Sequence, residues 1–250
     1  MKRQVFILIF ILTNFSFAQN DALFEKGNTL YNQGKYNEAI DAYQAVLLDT
    51  KNHSAELYYN LGNAHYKLNK VAPSIYYFEK ALQLAPNDSD IKNNLAFARN
   101  MTIDAIDAIP EAALSKLIKN ITNYMTFDGW AKTAVALVFC FVVLFLFYYF
   151  AYSTLRKRMA FIGSMASLFL VVITLTLAFH KFNLDKNDKP AIVFVQESKV
   201  KAEPNLRSEE SFTLHEGTKV HVLDTVKSWK KIKLADGKTG WIPEEDIKAL

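Results

Sequence analysis

The stretch TAVALVFCFVVLFLFYYFAY (Thr133–Tyr152), STLRKR (Ser153–Arg158), MAFIGSMASLFLVVITLTLAF (Met159–Phe179) decides the architecture. Each apolar run is free of charge and about 20 residues long, the length an α-helix needs to cross a hydrocarbon core about 30 Å thick. Only the short basic segment Ser153–Arg158 separates them, so the chain turns straight back and recrosses. Whatever precedes Thr133 and follows Phe179 is therefore expected on one side of a membrane.

The N-terminus suggests which side. Met1-Lys2-Arg3 is a basic start, Val5–Leu12 an apolar run, and Ser16-Phe17-Ala18 a small-x-small cleavage signal that would leave Gln19 first. A short uncleaved anchor is the alternative, and either one exports the segment that follows. Arg156, Lys157 and Arg158 then hold the hairpin turn in the cytoplasm. Lys181, Lys186 and Lys189 dilute that bias, with Asp185 and Asp188 beside them. The expectation is a two-span inner-membrane protein whose soluble parts both face the periplasm.

The chain has 250 residues, is 51% hydrophobic and carries a net charge of +4. The apolar excess belongs to the leader and the two spans, which leaves two soluble modules of modest size, each expected to pack its own core. Lysines are scattered among acidic neighbours, so no nucleic-acid partner is expected. Cys140 is the only cysteine and lies in the first span, so no disulfide braces the soluble parts. His53, His65, His180, His215 and His221 lack metal-ligand spacing, and no phosphate loop, nucleophile elbow or zinc-protease motif occurs. No enzyme, metal or cofactor is expected.

Gly27-Asn28-Thr29-Leu30-Tyr31 returns 35 positions later as Gly62-Asn63-Ala64-His65-Tyr66. The offset persists through Ile40 and Ile75, Tyr43 and Phe78, Leu47 and Leu82, Asn52 and Asn87. A fixed period of about 34 residues marks a stack of helical hairpins. Small residues (Gly27, Ala39, Gly62, Ala81) stand where paired helices approach closely, and Pro86 stops the second pair. Leu57–Tyr66 followed by Phe78–Asn87 resembles the tetratricopeptide repeat, with Ser74 replacing its usual small Ala. The first unit departs at Val46 and Lys51, and Asp90–Arg99 resembles a third first-helix capping the stack.

That resemblance implies a concave surface for a peptide or partner protein. Asn28, Asn60, Asn63 and Asn94 fall on first helices, where they are either partner-binding groups or ordinary consensus. Some relatives clamp a C-terminal carboxylate with Asn plus Lys or Arg. Here Phe24, Asp90 and Asn94 occupy the positions where basic residues would be needed, so a less charged groove is expected.

Pro110-Glu111, then Leu114, Leu117, Ile118, Ile121 and Tyr124, has the spacing of an amphipathic helix. It would either rest on the bilayer or pack as a terminal repeat helix. Trp130 reads as an interfacial anchor.

Beyond Phe179, Ala191–Val195, Lys219–Leu223, Trp229–Leu234 and Thr239–Ile242 read as short strands separated by turns at Glu216-Gly217 and Asp236-Gly237. Four or five strands are expected. The Trp229–Leu234 run and Gly240-Trp241-Ile242-Pro243 resemble bacterial SH3-type domains. Proline-rich recognition, known in eukaryotic relatives, is not expected, because Asp246 replaces the final groove Tyr. Trp229 and Trp241 read as core and rim residues, with ligand contact as the alternative.

The expected fold is that of a multidomain membrane protein: an all-α tetratricopeptide-repeat solenoid, a transmembrane helical hairpin and a small all-β SH3-like barrel. The expected boundaries are a signal peptide at 1–18, repeats at 19–100 and an amphipathic connector at 101–130. Spans follow at 131–152 and 159–180 around a cytoplasmic turn at 153–158, then a linker at 181–190 and the SH3-type domain at 191–250. In this order the chain resembles the aerotolerance (Bat) operon protein E family of the Bacteroidetes group. The resemblance implies a periplasmic scaffold in an envelope-stress complex, with von Willebrand factor A-domain membrane proteins and a MoxR-type ATPase system as partners. Peptidoglycan binding through the SH3-type domain is the second reading.

Overall fold

The computed structural model describes residues 22–50, 53–110 and 112–250. The expected signal peptide at 1–18, Lys51, Asn52 and Glu111 lie outside the described residues. The chain forms two compact units, one of Met1–Ala108 with Pro190–Leu250, the other of Ile109–Lys189.

The first unit begins with five helices: α1 (residues 22–32), α2 (Tyr36–Thr50), α3 (Ala55–Lys67), α4 (Val71–Leu84) and α5 (Ser89–Arg99). The period seen in the sequence recurs in the way first helices end. Gly34 (φ +78°) and Asn69 (φ +55°) take the left-handed conformation. The N–H groups of Lys35 and Lys70 bond back to the Leu30 and His65 carbonyls, those of Gly34 and Asn69 to Tyr31 and Tyr66. Both hairpins therefore turn through the same helix-terminating motif. Ser54 caps α3 by accepting from the Leu57 N–H, and Asp88 caps α5 by accepting from Asp90 and Ile91. Tyr43, Phe78, Leu57, Leu61 and Ile75 are fully buried between the helices. Ser74, the departure from the usual Ala, is also buried, and its Oγ donates to the Gly62 carbonyl at 3.0 Å.

The same unit ends in a seven-stranded antiparallel sheet, with strand order β3-β2-β6-β5-β4-β1-β7. The strands are β1 (Pro190–Val193), β2 (Glu197–Lys201), β3 (Glu210–His215), β4 (Lys219–Val226), β5 (Trp229–Lys233), β6 (Thr239–Pro243) and β7 (Ile247–Ala249). The four or five strands expected from sequence are thus too few. β2 was hidden because its outward residues are charged and only Ser198 and Val200 point inward. The Asp236-Gly237 turn does join β5 to β6, with Gly237 at φ +88° and Asp236 accepting from the Lys238 N–H. Val193, Val200, Val220, Ile232 and Ile242 form the core of this SH3-like sheet.

Repeats and sheet each keep a core of their own, but within this unit they pack against one another. Ile192 is buried within the helical core, and Phe194 and Leu250 pack on it. Tyr76 of α4 meets Phe194 edge-on at 5.6 Å, and Lys248 Nζ lies 4.5 Å from the Tyr76 ring centre. Gly217 seats against Val71, Ile75 and Thr102 so closely that a Cβ there would lie within 3.0 Å of each. Buried Glu79 accepts from both Arg99 and, at 2.7 Å, Lys219. Asp104 receives the His215 backbone N–H and the Thr218 hydroxyl on one oxygen and faces His215 Nδ1 with the other, all within 2.7 Å.

The second unit contains α6 (Ala113–Thr122), α7 (Phe127–Phe150) and α8 (Thr154–Asn187). Both α7 and α8 are long and apolar enough to cross a membrane. The turn between them spans only Ala151–Ser153, shorter than the expected 153–158. Leu155, Arg156, Lys157 and Arg158 contain no helix breaker and are good helix formers, so they join α8. Likewise 181–187 is helix rather than linker, with a Lys181–Asp185 pair at 2.7 Å one turn apart. Ala160, Ser164, Ser167, Val171, Thr174 and Ala178 are buried at alternating steps of four and three. These small residues form the seam that lets α8 approach α7, where Ser167 Oγ donates to the Leu137 carbonyl at 2.7 Å. The amphipathic segment becomes helical only at Ala113, three residues after Pro110.

Candidate functional site

First helices α1, α3 and α5 stand side by side, and their facing residues form an amide ladder. Asn28 Oδ1 accepts from Asn60 Nδ2 at 3.1 Å and from the Tyr43 hydroxyl at 2.8 Å. One repeat on, Asn94 Nδ2 donates to Asn63 Oδ1 at 2.8 Å and to the Tyr59 hydroxyl at 2.9 Å. Burial first, with the field of Tyr31, Glu25 and Glu56, pushes the Tyr43 phenol up to about 12. It therefore stays protonated and donates. The four asparagines singled out by sequence thus form two pairs, Asn28–Asn60 and Asn63–Asn94, and each pair ties neighbouring first helices. Each primary amide has more donors and acceptors than these bonds use.

Between α3 and α5 this surface opens into a groove of about 250 Å³ lined by Tyr31, Tyr59, Asn63, Tyr66, Lys67, Asn94 and Phe97. Phe97 is 59% exposed although it is a large apolar ring. The groove offers four aromatic faces, amide groups between them and one cation at the rim. Such a lining suits an extended polypeptide, whose side chains stack on the rings while its backbone bonds to the amides. Sequence reasoning named the asparagines but missed the rings. The signal was present: Tyr31 and Tyr66 share the 35-residue offset, as do Tyr59 and Asn94.

Trp229 and Trp241 lie elsewhere, on adjacent strands β5 and β6. Trp229 is buried opposite Pro243, and half-buried Trp241 sits opposite Lys231, whose Nζ is 5.9 Å from the ring centre. Asp246 accepts a hydrogen bond from Ser198 Oγ, so the residue replacing the groove Tyr serves to hold β2.

Residues 24–89 match the tetratricopeptide repeat family model. Residues 197–248 match the model of the bacterial SH3 domain. No curated protein matches the chain. The chain therefore joins a repeat region of the protein-binding class and a bacterial SH3 domain, a class that suggests cell-wall binding, to two helices suited to membrane association.

Proposed function

We propose that this protein is a membrane-anchored scaffold, not an enzyme, whose repeat groove holds an extended segment of a partner protein. The observation that carries this reading is the groove itself, with exposed Phe97 and three tyrosines around the Asn63–Asn94 pair. The order of repeats, hairpin and SH3-type domain supports membership of the aerotolerance operon protein E family. On that reading it works in the inner membrane, with both soluble regions in the periplasm. Its partners are then von Willebrand factor A-domain membrane proteins and a MoxR-type ATPase system.

The test is in-cell crosslinking of the full chain, comparing wild type with Phe97→Ser combined with Lys67→Glu. Both residues are exposed and outside the amide ladder, so folding is spared. Loss of an anchor ring and reversal of the rim charge should lower recovery of a crosslinked partner about tenfold or more. Equal recovery would refute the groove. Deleting the SH3-type domain is not a clean control, because it would uncover Val71 and Ile75 and strip Lys219 from Glu79.

The second reading, peptidoglycan binding, is favoured by the bacterial SH3 match. It calls for the full chain in detergent to sediment with purified sacculi, and for Trp241→Ala to abolish this while Phe97→Ser leaves it intact.

Orientation is checked separately. Alkaline phosphatase fused after Leu250 should be active and fused at Lys157 silent, because clustered basic residues stay cytoplasmic. The reverse pattern would overturn the periplasmic placement.

A further inference from the structure

Helix α6 places Leu114, Leu117, Ile118 and Ile121 on one face and Ser115, Lys116, Lys119 and Asn120 on the other. The four apolar side chains are 45–69% exposed. We propose that α6 is an interfacial membrane helix, its apolar stripe set among the acyl chains beside α7 and α8 and its lysine face directed at anionic headgroups. The proposal rests on the reading of α7 and α8 as membrane spans.

Its occupant follows from how α6 is tied to them. The Thr122 carbonyl at its last turn accepts from Trp130 Nε1 at 3.0 Å. The following residue, Asn123, accepts from Lys181 Nζ at 3.1 Å, and the same ammonium pairs with Asp185 at 2.7 Å. Trp130 lies in the first turn of α7 and Lys181 just beyond the apolar length of α8, which is where Trp and Lys mark the exit from hydrocarbon. The C-terminal end of α6 is thereby held at the membrane boundary. A ten-residue helix held there with an apolar stripe and two lysines opposite has the composition of a helix that lies in the interface. On the opposite face, Lys116 matches negative lipid charge.

The test uses the full chain with Cys140→Ala, reconstituted into phosphatidylcholine vesicles containing phosphatidylglycerol. Single cysteines at Leu117 or Ile118, and at Ser115 or Asn120, carry an environment-sensitive fluorophore, with Val138→Cys in α7 as the insertion control. Acyl-chain-labelled quencher lipids should quench the Leu117 and Ile118 probes about threefold more than the Ser115 and Asn120 probes. Removing phosphatidylglycerol should reduce that difference. Equal quenching on both faces, with Val138 quenched, overturns the proposal. So does a Leu117 probe shielded from water yet untouched by the quencher, since protein rather than lipid would then cover the stripe. An unquenched Val138 probe would instead overturn the membrane reading beneath it.

Discussion

Gly62→Leu should destroy the native packing of α3 against α4 and cost about 3 kcal/mol or more, at or above the usual range for overpacking a core. A Cβ at Gly62 would stand 2.6 Å from Cδ1 of Phe78, before any of the leucine's larger atoms are placed. Phe78 is fully buried and packs on Tyr59 at 5.9 Å, so its ring has nowhere to retreat. Moving α4 away instead would break the Ser74 hydrogen bond to the Gly62 carbonyl. It would also drag Val71 and Ile75 off Gly217 and so loosen the SH3-like sheet. The damage should therefore spread beyond one hairpin. Amide hydrogen exchange on the full chain in detergent reads it directly: protection in α3, α4 and β1 should fall together. Ala96→Leu, at an exposed position of α5, places the same side chain where it meets no clash and should leave protection intact. Wild-type protection in α3 of the Gly62 variant would mean that the α3–α4 contact tolerates a side chain.

That coupling shows why part of this structure was legible in sequence and part was not. The Gly27/Gly62 offset is local and repeated, so it announced the stack and the close approach of paired helices, while the rings that meet these glycines, Tyr43 and Phe78, emerge only in the fold. The length of Thr133–Tyr152 and Met159–Phe179 announced the two apolar helices. Docking leaves no such trace. Glu79 and Lys219 are 140 positions apart, Asp104 and His215 are 111 apart, and each alone reads as a solvated charge. Only folding turns Glu79 into a buried carboxylate shared by two cations. The strand β2 and the helical start at Thr154 were missed for a different reason. Charged residues dominate both segments, while what fixes them is a few inward positions or the absence of a breaker. In the groove, the asparagines stood out as a residue type, whereas Tyr31, Tyr59 and Tyr66 were noted only as members of the repeat pattern. Tyr43 is core, but Tyr31, Tyr59 and Tyr66 have one side in the groove.

Acidification should destabilise the repeat unit in two successive windows, the first set by His65. Its ring is buried, stacks on Tyr77 at 5.4 Å with planes 8° apart, and among the described residues neither ring nitrogen has a hydrogen-bond partner. Burial first, then the positive field of Lys70 and of Lys248, lowers its pKa from 6.5 to about 4. The folded chain thus keeps the imidazole neutral where the unfolded chain takes up a proton. Stability is complete above 6.5 and drains away as pH falls towards about 4, a loss of about 3 kcal/mol across that window. The second window belongs to Asp104. Burial opposes its ionisation, yet the Thr218 hydroxyl and the His215 backbone and ring outweigh that and lower its pKa below the ordinary 3.8. Its contribution is therefore present above 3.8 and fades only as pH drops through the lower, folded value. His65→Phe keeps an aromatic stack on Tyr77 and removes both the titration and the unpartnered nitrogens. Chemical denaturation of the full chain in detergent at about pH 7 and about pH 4.5 separates the two groups, since the His65 window falls largely between these values while that of Asp104 lies below them. Wild type should lose most of the predicted free energy over that interval and His65→Phe very little. Equal losses in the two proteins would assign the acid sensitivity to some other group and leave His65 without a titrating role.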